Sequence, residues 1–300
     1  MKISAIPIAA VERDTGIPKD TLRVWERRYR FPRPERDSKG ERVYPADQVE
    51  QLRLLRRLLD QGHRPGSIVG AAQATLLALL EAAQPDTPPA PAAPHVAPML
   101  GLIRQHRSAE LYATLHQLLT KSGLQHFVST VVAPLNEAIG DAWLRGQISV
   151  AEEHLYTEQV QNLLRSTISA LSASAQPPRV LMTTVPGEEH VLGLLMAEAM
   201  LAPEGVQCTS LGVQTPLADI ASSARAGAFD IVAVSFSAAF AARPAVAALE
   251  QLRALLDPRI ALWAGGAALR HKRKAADGVI VLTSLTDIAP ALAAWRAGPP

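Results

Sequence analysis

Val180-Leu181-Met182-Thr183-Thr184-Val185 is followed closely by Glu188-Glu189-His190-Val191-Leu192-Gly193, and this stretch decides the fold of the C-terminal part of the chain. The first run is apolar and β-rich, and the second reads as a loop leading into a helix. Further β-rich runs at 206–212, 230–236, 259–263 and 278–282 alternate with Ala/Leu-rich helical stretches. Strands separated by helices predict a parallel sheet with helices on both faces, an α/β architecture. In such sheets ligands sit outside the carboxyl ends of the strands. Forty-one residues separate Gly193 from Ser235-Phe236-Ser237, and 27 more precede Gly265-Gly266. His190, Ser235 and the glycine pair each follow an expected strand, so all of them belong on one edge and describe one pocket.

The chain has 300 residues, 48% of them hydrophobic and 19% charged, enough for two or three domains with sizeable cores. Cys208 is the single cysteine, which excludes an internal disulfide and favours a reducing compartment. No apolar leader and no uncharged apolar stretch of about 18 residues is present, so a cytoplasmic protein with no membrane partner is expected. The net charge of +2 conceals an asymmetry. Residues 1–70 carry 15 Lys/Arg against 10 Asp/Glu, and the remainder 15 against 18. A basic head on a mildly acidic body points to a polyanionic partner for the head.

Residues 83–98 include Pro85, Pro88, Pro89, Pro91, Pro94 and Pro98, and read as a stiff Pro/Ala linker rising about 3.1 Å per residue. It separates a head, residues 1–80, from a helical segment, residues 99–174. Gln176-Pro177-Pro178 marks the start of the α/β domain, residues 178–298.

In the head, a short helical stretch over 7–15 ends at Thr15-Gly16-Ile17, and Pro18 opens a second helix. That helix, Lys19 to Tyr29, sets Leu22 and Trp25 as anchors among the polar and basic Lys19, Thr21, Arg23, Arg27, Arg28 and Tyr29. Helix, tight turn and basic helix form a helix-turn-helix, whose second helix enters the major groove. A basic loop and short strand then place Arg33, Arg36 and Arg42 as phosphate contacts, and a helix over 46–61 buttresses the reader. The Trp-Glu-Arg-Arg-Tyr run and the Arg-x-Tyr wing resemble the winged helix-turn-helix of MerR-type regulators, implying double-stranded operator DNA as partner.

In the helical segment, Trp143 is followed by Ser149-Val150-Ala151-Glu152-Glu153-His154, where Ser149 and Glu152 fit a capping box that starts a helix at Val150. Glu188-x-His190-x-x-Gly193, Ser235-x-Ser237 and Gly265-Gly266 resemble the cobalamin-binding signature Asp-x-His-x-x-Gly, Ser-x-Leu and Gly-Gly, with Glu188 for the Asp and Ser237 for the Leu. The resemblance implies a flavodoxin-like (Rossmann-like) cobalamin domain with His190 as the lower axial cobalt ligand and Glu188 as its carboxylate partner. It implies further that Gly193, Ser235, Ser237, Gly265 and Gly266 accommodate the nucleotide tail. The Trp-x9-Glu-His spacing resembles the four-helix caps of light-responsive bacterial repressors of the CarH/LitR type, in which the Trp and the Glu-His pair lie on the cofactor's upper face. Trp143, Val150, Glu153 and His154 take those positions here. Light-sensing members often carry a histidine directly after the Trp, and this chain has Leu144.

Together the resemblances imply a transcriptional regulator and not an enzyme: a repressor, tetrameric in the family, that holds DNA with adenosylcobalamin in the dark and is released by light. Methylcobalamin is the alternative cofactor form. A light-independent cobalamin sensor and a corrinoid carrier or methyltransferase subunit are the alternative functions. No phosphate loop, zinc cluster or Ser/His/Asp order stands out. His63, His95, His106, His116, His126 and His271 lack metal-ligand spacing.

Overall fold

The computed structural model describes residues 6–60, 63–82, 94–145, 147–171, 176–270, 272 and 275–298. Residues 83–93 of the expected linker, residues 172–174 of the expected helical domain, Gly146 and His271 lie outside them. The chain divides into two compact units, Met1–Ala90 and Pro91–Pro300.

The first unit runs β1 (Ile6–Pro7), α1 (Ile8–Thr15), α2 (Lys19–Tyr29), β2 (Glu35–Arg36), β3 (Arg42–Tyr44), α3 (Ala46–Asp60), α4 (Pro65–Ile68) and α5 (Gln73–Ala82). Gly16 ends α1 in the left-handed conformation, φ 65°, and its N–H returns to Glu12 O at 2.9 Å. The Glu12 side chain then accepts the Lys19 N–H at 2.9 Å, so the end of one helix also holds the start of the next. Leu22 and Trp25 face inward with Val11, Ile17, Tyr44, Leu52 and Leu55, which leaves the basic side of α2 outside. β3 is the middle strand of a small antiparallel sheet, pairing Tyr44 with Ile6 and Arg42 with Arg36. This is a helix-turn-helix with its wing. The sequence reading missed β1, α4 and α5, which are too short or too uniformly Ala/Leu to show a period.

The second unit opens with helices α6 (Val96–Arg104), α7 (Ser108–Ser122), α8 (Leu124–Phe127), α9 (Ala133–Leu144) and α10 (Val150–Ala170). A π turn over Val128–Val132 joins α8 to α9. At this turn Ser129 donates to Gln125 O at 2.9 Å and Thr130 to His126 O at 2.7 Å, hydroxyls that compete with the backbone ladder. The capping box forms as the Ser-x-x-Glu pattern predicts. Ser149 N–H donates to Glu152 Oε2 at 2.6 Å, and Glu152 N–H to Ser149 Oγ at 3.3 Å.

The rest is β4 (Gln176–Thr183), α11 (Leu192–Leu201), β5 (Val206–Ser210), α12 (Leu217–Ala226), β6 (Ile231–Ser235), α13 (Ala242–Leu255), β7 (Ala261–Gly265), β8 (Val279–Leu282) and α14 (Ile288–Ala297). Each of the five β-rich runs supplies one strand. All five are parallel, in the order β5-β4-β6-β7-β8, the flavodoxin-like arrangement. Alternation along the strands divides the core. Val180, Met182, Ile231 and Trp263 meet α11 and α14, and this core continues into α6–α10. Leu181, Val232, Val234 and Leu262 meet α12 and α13 on the other face.

Replacing Ser149 with Ala removes the α10 cap and should lower unfolding free energy by about 1 kcal/mol in urea denaturation. An unchanged midpoint would show that the box does not hold the helix start.

Candidate functional site

β4 and β6 are sequence-distant neighbours at the point where strand order reverses, and the loops leaving their carboxyl ends are where sheets of this kind bind ligands. The loop after β4 turns at Val185-Pro186-Gly187-Glu188, where Gly187 has φ 87° and Glu188 N–H reaches Val185 O at 3.1 Å. Proline followed by a positive-φ glycine is the chemistry of a type II turn. The buried Thr184 hydroxyl donates to Glu188 O at 2.6 Å and accepts the Gln214 N–H at 2.8 Å. Thr183 Oγ1 adds a bond to Gly212 O at 3.0 Å. The segment after β5 therefore clamps the histidine loop.

The turn buries Glu188, which is 1% exposed, and surrounds its carboxylate with donors. Oε1 receives His190 N–H at 3.0 Å, the His190 ring Nδ1 at 2.7 Å and Ser237 Oγ at 3.2 Å. Oε2 receives Ser237 N–H at 2.7 Å. Burial pushes the Glu188 pKa up, but the hydrogen bonds from His190 and Ser237 outweigh it and hold the carboxyl below its ordinary range. His190 moves the other way. Its bond to Glu188 raises it against the effect of burial, and the charges of Glu188, Glu153 and Glu189 add to the rise. A charged carboxylate on Nδ1 keeps the proton there and leaves the Nε2 lone pair for a metal, the usual arrangement of a ligating histidine. The His190 side chain is 59% exposed, so that nitrogen is reachable. One imidazole supplies one ligand, and a metal seated on it brings its others along, as a corrin does.

Ser237 thus belongs to the histidine's hydrogen-bond shell; as a replacement for Leu it does more than line a wall. Ser235 and Gly265 are register partners at the ends of β6 and β7. Gly193 is the second residue of α11, where a Cβ would lie 2.4 Å from Ser235 Oγ. Gly266 has φ 105°, and a Cβ there would lie 2.1 Å from Phe236 O. The Gly266 approach, made against backbone at positive φ, admits only glycine, whereas a side chain at Gly193 would require the Ser235 hydroxyl to turn away. In the cap, Trp143 is half-buried near the end of α9, and Val150 is half-buried at the start of α10. Glu153 accepts the Thr157 hydroxyl at 2.7 Å, and the exposed His154 has Nε2 3.7 Å from Glu153. The Glu153 charge adds to the rise of the His190 pKa.

In the first unit, Lys19, Arg23, Arg27 and Arg28 are exposed along α2, and Thr21 and Tyr29 are half-buried. Arg23 pairs with Asp20 at 2.9 Å, and Arg28 stacks over the Tyr29 ring at 5.3 Å. Arg33 bonds Arg30 O at 3.1 Å and Arg36 bonds Gly40 O at 2.6 Å, which shapes the wing. Arg42 bonds Glu26 at 2.9 Å, which braces the wing against α2. Val24, missed in the sequence, is 43% exposed on the same outer face of α2 as Arg23 and Arg27, an apolar group among the cations.

Residues 6–75 match the family of MerR HTH regulatory proteins, and residues 98–166 and 178–293 each match a B12 binding domain. The chain is 30% identical over 278 residues to the HTH-type transcriptional repressor CarA of Myxococcus xanthus, covering 89% of this chain and 88% of the relative. The chain belongs to the CarA/CarH family of MerR-type repressors. The HTH-type transcriptional repressor CarH of the same organism is 29% identical over 274 residues, covering 89% of this chain and 90% of that one. The monomethylamine corrinoid protein of Methanosarcina barkeri shares the fold, with a TM-score of 0.53 at 14% identity over 64% of this chain and 94% of its own. A CarA/CarH-family member is thus a MerR-type regulator with cobalamin-binding domains, and the donor set at His190 suits such a cofactor. Among the described residues, no helix is long and apolar enough to cross a membrane.

The charge pairing sets a pH window. The folded His190 pKa is raised above 6.5, so its contribution is full below that value and fades as pH rises through the raised one. The folded Glu188 pKa is lowered from 4.5, so its contribution is present above that value and fades as pH falls through the lowered one. Glu188→Gln should therefore lose most stability, relative to the parent, between the two reference values. In nitrogen-15 NMR its His190 titration should fall back toward the ordinary value. An unmoved His190 titration would mean that Glu188 does not set the tautomer.

Proposed function

We propose that this chain is a cobalamin-gated repressor that binds operator DNA with adenosylcobalamin in the dark and releases it in light. The observation that carries the reading is the exposed His190 side chain at the switch point, its Nδ1 tied to the buried Glu188, in a chain that also carries a winged helix-turn-helix. Adenosylcobalamin would supply a photolabile cobalt–carbon bond. His190 would hold the lower side. Trp143, Val150, Glu153 and His154 would line the upper side, so that a change there is felt by α9 and α10.

DNA binding is assigned to the outer face of α2 through Lys19, Thr21, Arg23, Arg27, Arg28 and Tyr29, with Arg33, Arg36 and Arg42 on the wing. Coupling needs the cofactor to favour the DNA-competent assembly, taken here as a homotetramer; a 100-fold preference amounts to about 2.7 kcal/mol. Leu144 beside Trp143 favours a second reading, in which the cofactor and not light is the signal. Methylcobalamin would then serve as well.

The test is DNA retardation and size-exclusion chromatography of the full chain, without cofactor and with adenosylcobalamin, in the dark and after green light. The proposal expects cofactor-dependent retardation and an oligomer that both collapse on illumination, with His190→Ala weakening cofactor uptake by about 10- to 100-fold. Retardation that needs cobalamin but ignores light would select the second reading. Retardation indifferent to cobalamin, or methyl transfer to a thiol in its place, would overturn both.

A further inference from the structure

We propose that Val24 is a base-reading residue of α2, its methyl groups packing on the 5-methyl of a thymine in the major groove. This rests on the assignment of the outer face of α2 to operator DNA and adds the base feature which that face selects. Asp20, Arg23, Val24 and Arg27 stand at i, i+3, i+4 and i+7, so they form one stripe along the helix. Leu22 and Trp25, 0% and 3% exposed, hold the opposite side of α2 in the core. The stripe is therefore the part of α2 that goes deepest when the helix enters a groove.

Charge along α2 makes a nucleic acid the partner that fits this stripe. Both carboxylates of the helix are engaged, Asp20 with Arg23 at 2.9 Å and Glu26 with Arg42 at 2.9 Å. Around them the exposed side chains of Lys19, Arg27 and Arg28 are cationic, as a phosphate backbone requires. Among these cations lies Val24, 43% exposed. A single exposed valine is ordinary on a protein surface. Its place here is not, because every neighbour on the stripe is charged.

Reach then decides what Val24 can touch. Long cationic side chains extend from a groove to the phosphates at its rims. Valine ends one carbon beyond its Cβ, so it meets only what lies directly beneath the helix. There the groove offers base edges, and the apolar group among them is the thymine 5-methyl. A β-branched side chain in a helix also holds one dominant rotamer, so this contact costs little ordering.

The experiment first selects the preferred sequence of the full chain from a random duplex library, with adenosylcobalamin in the dark and without cobalamin. Each thymine of the selected duplex is then replaced in turn by deoxyuridine, which pairs as thymine does and lacks only the 5-methyl. One thymine per bound head should respond, its replacement weakening binding about four-fold, the size expected for one buried methyl. Val24→Ala keeps a strong helix former at an exposed position, so the fold is retained. It should bind the thymine duplex more weakly and lose discrimination at that thymine alone. Equal sensitivity of parent and variant at every thymine, a parent indifferent to all of them, or a variant that binds no duplex overturns the proposal and leaves the DNA assignment standing. A parent chain that selects no duplex in either condition overturns the DNA assignment itself and the proposal with it.

Discussion

The organisation of the site depends on burying one carboxylate. A charged Glu188 cannot be taken from water without replacing its hydration, and the fold replaces it with four donors, two from His190 and two from Ser237. Those donors come from the loops after β4 and β6, so the demand for compensation brings together two segments that are 47 to 49 residues apart in sequence. It also fixes the imidazole. With Nδ1 committed to Glu188, Nε2 is the ring nitrogen left for a ligand once it is deprotonated. Thr184 supports this arrangement from behind, joining the turn to the segment after β5.

A site built this way is well placed to report on its contents. The apolar core beneath α11 and α14 is continuous with that of α6–α10, so a change in one is not insulated from the other. Direct polar links cross the same boundary. Gln125 donates to Met200 O at 2.9 Å and to Glu204 at 3.0 Å, and Arg270, close after Gly266, pairs with Glu137 on α9. A ligand held between Glu153 and His190 would touch both sides of that boundary, which is the physical requirement for converting occupancy into a shift of populations.

Much of this was legible in the sequence because it is periodic or local. The five apolar runs became the five strands, Ser149-x-x-Glu152 became a capping box, and Gly16 with Pro18 bracketed the turn of the helix-turn-helix. The Glu188–His190 pairing was also readable, because both residues lie on one loop. Nonlocal features were not. Ser237 reads as an imperfect wall residue until the fold sets its N–H and hydroxyl on Glu188. Thr184 reads as the end of a strand, and the bond from Arg42 to Glu26 joins residues with no sequence pattern in common. The exposure of Val24 depends on packing that no residue spacing encodes. The π turn over Val128–Val132 has no period of its own and passes for ordinary helix.

The central claim is that His190 Nε2 ligates the cobalt of a bound cobalamin. The most direct measurement is electron paramagnetic resonance of the chain loaded with the cobalt(II) form, prepared with ordinary and with nitrogen-15 histidine. Ligation by His190 predicts a nitrogen splitting on the cobalt lines whose multiplicity changes with the label, and its loss in His190→Ala. A nitrogen splitting that ignores the histidine label would show that the cofactor keeps its own base on the metal, and would contradict the account.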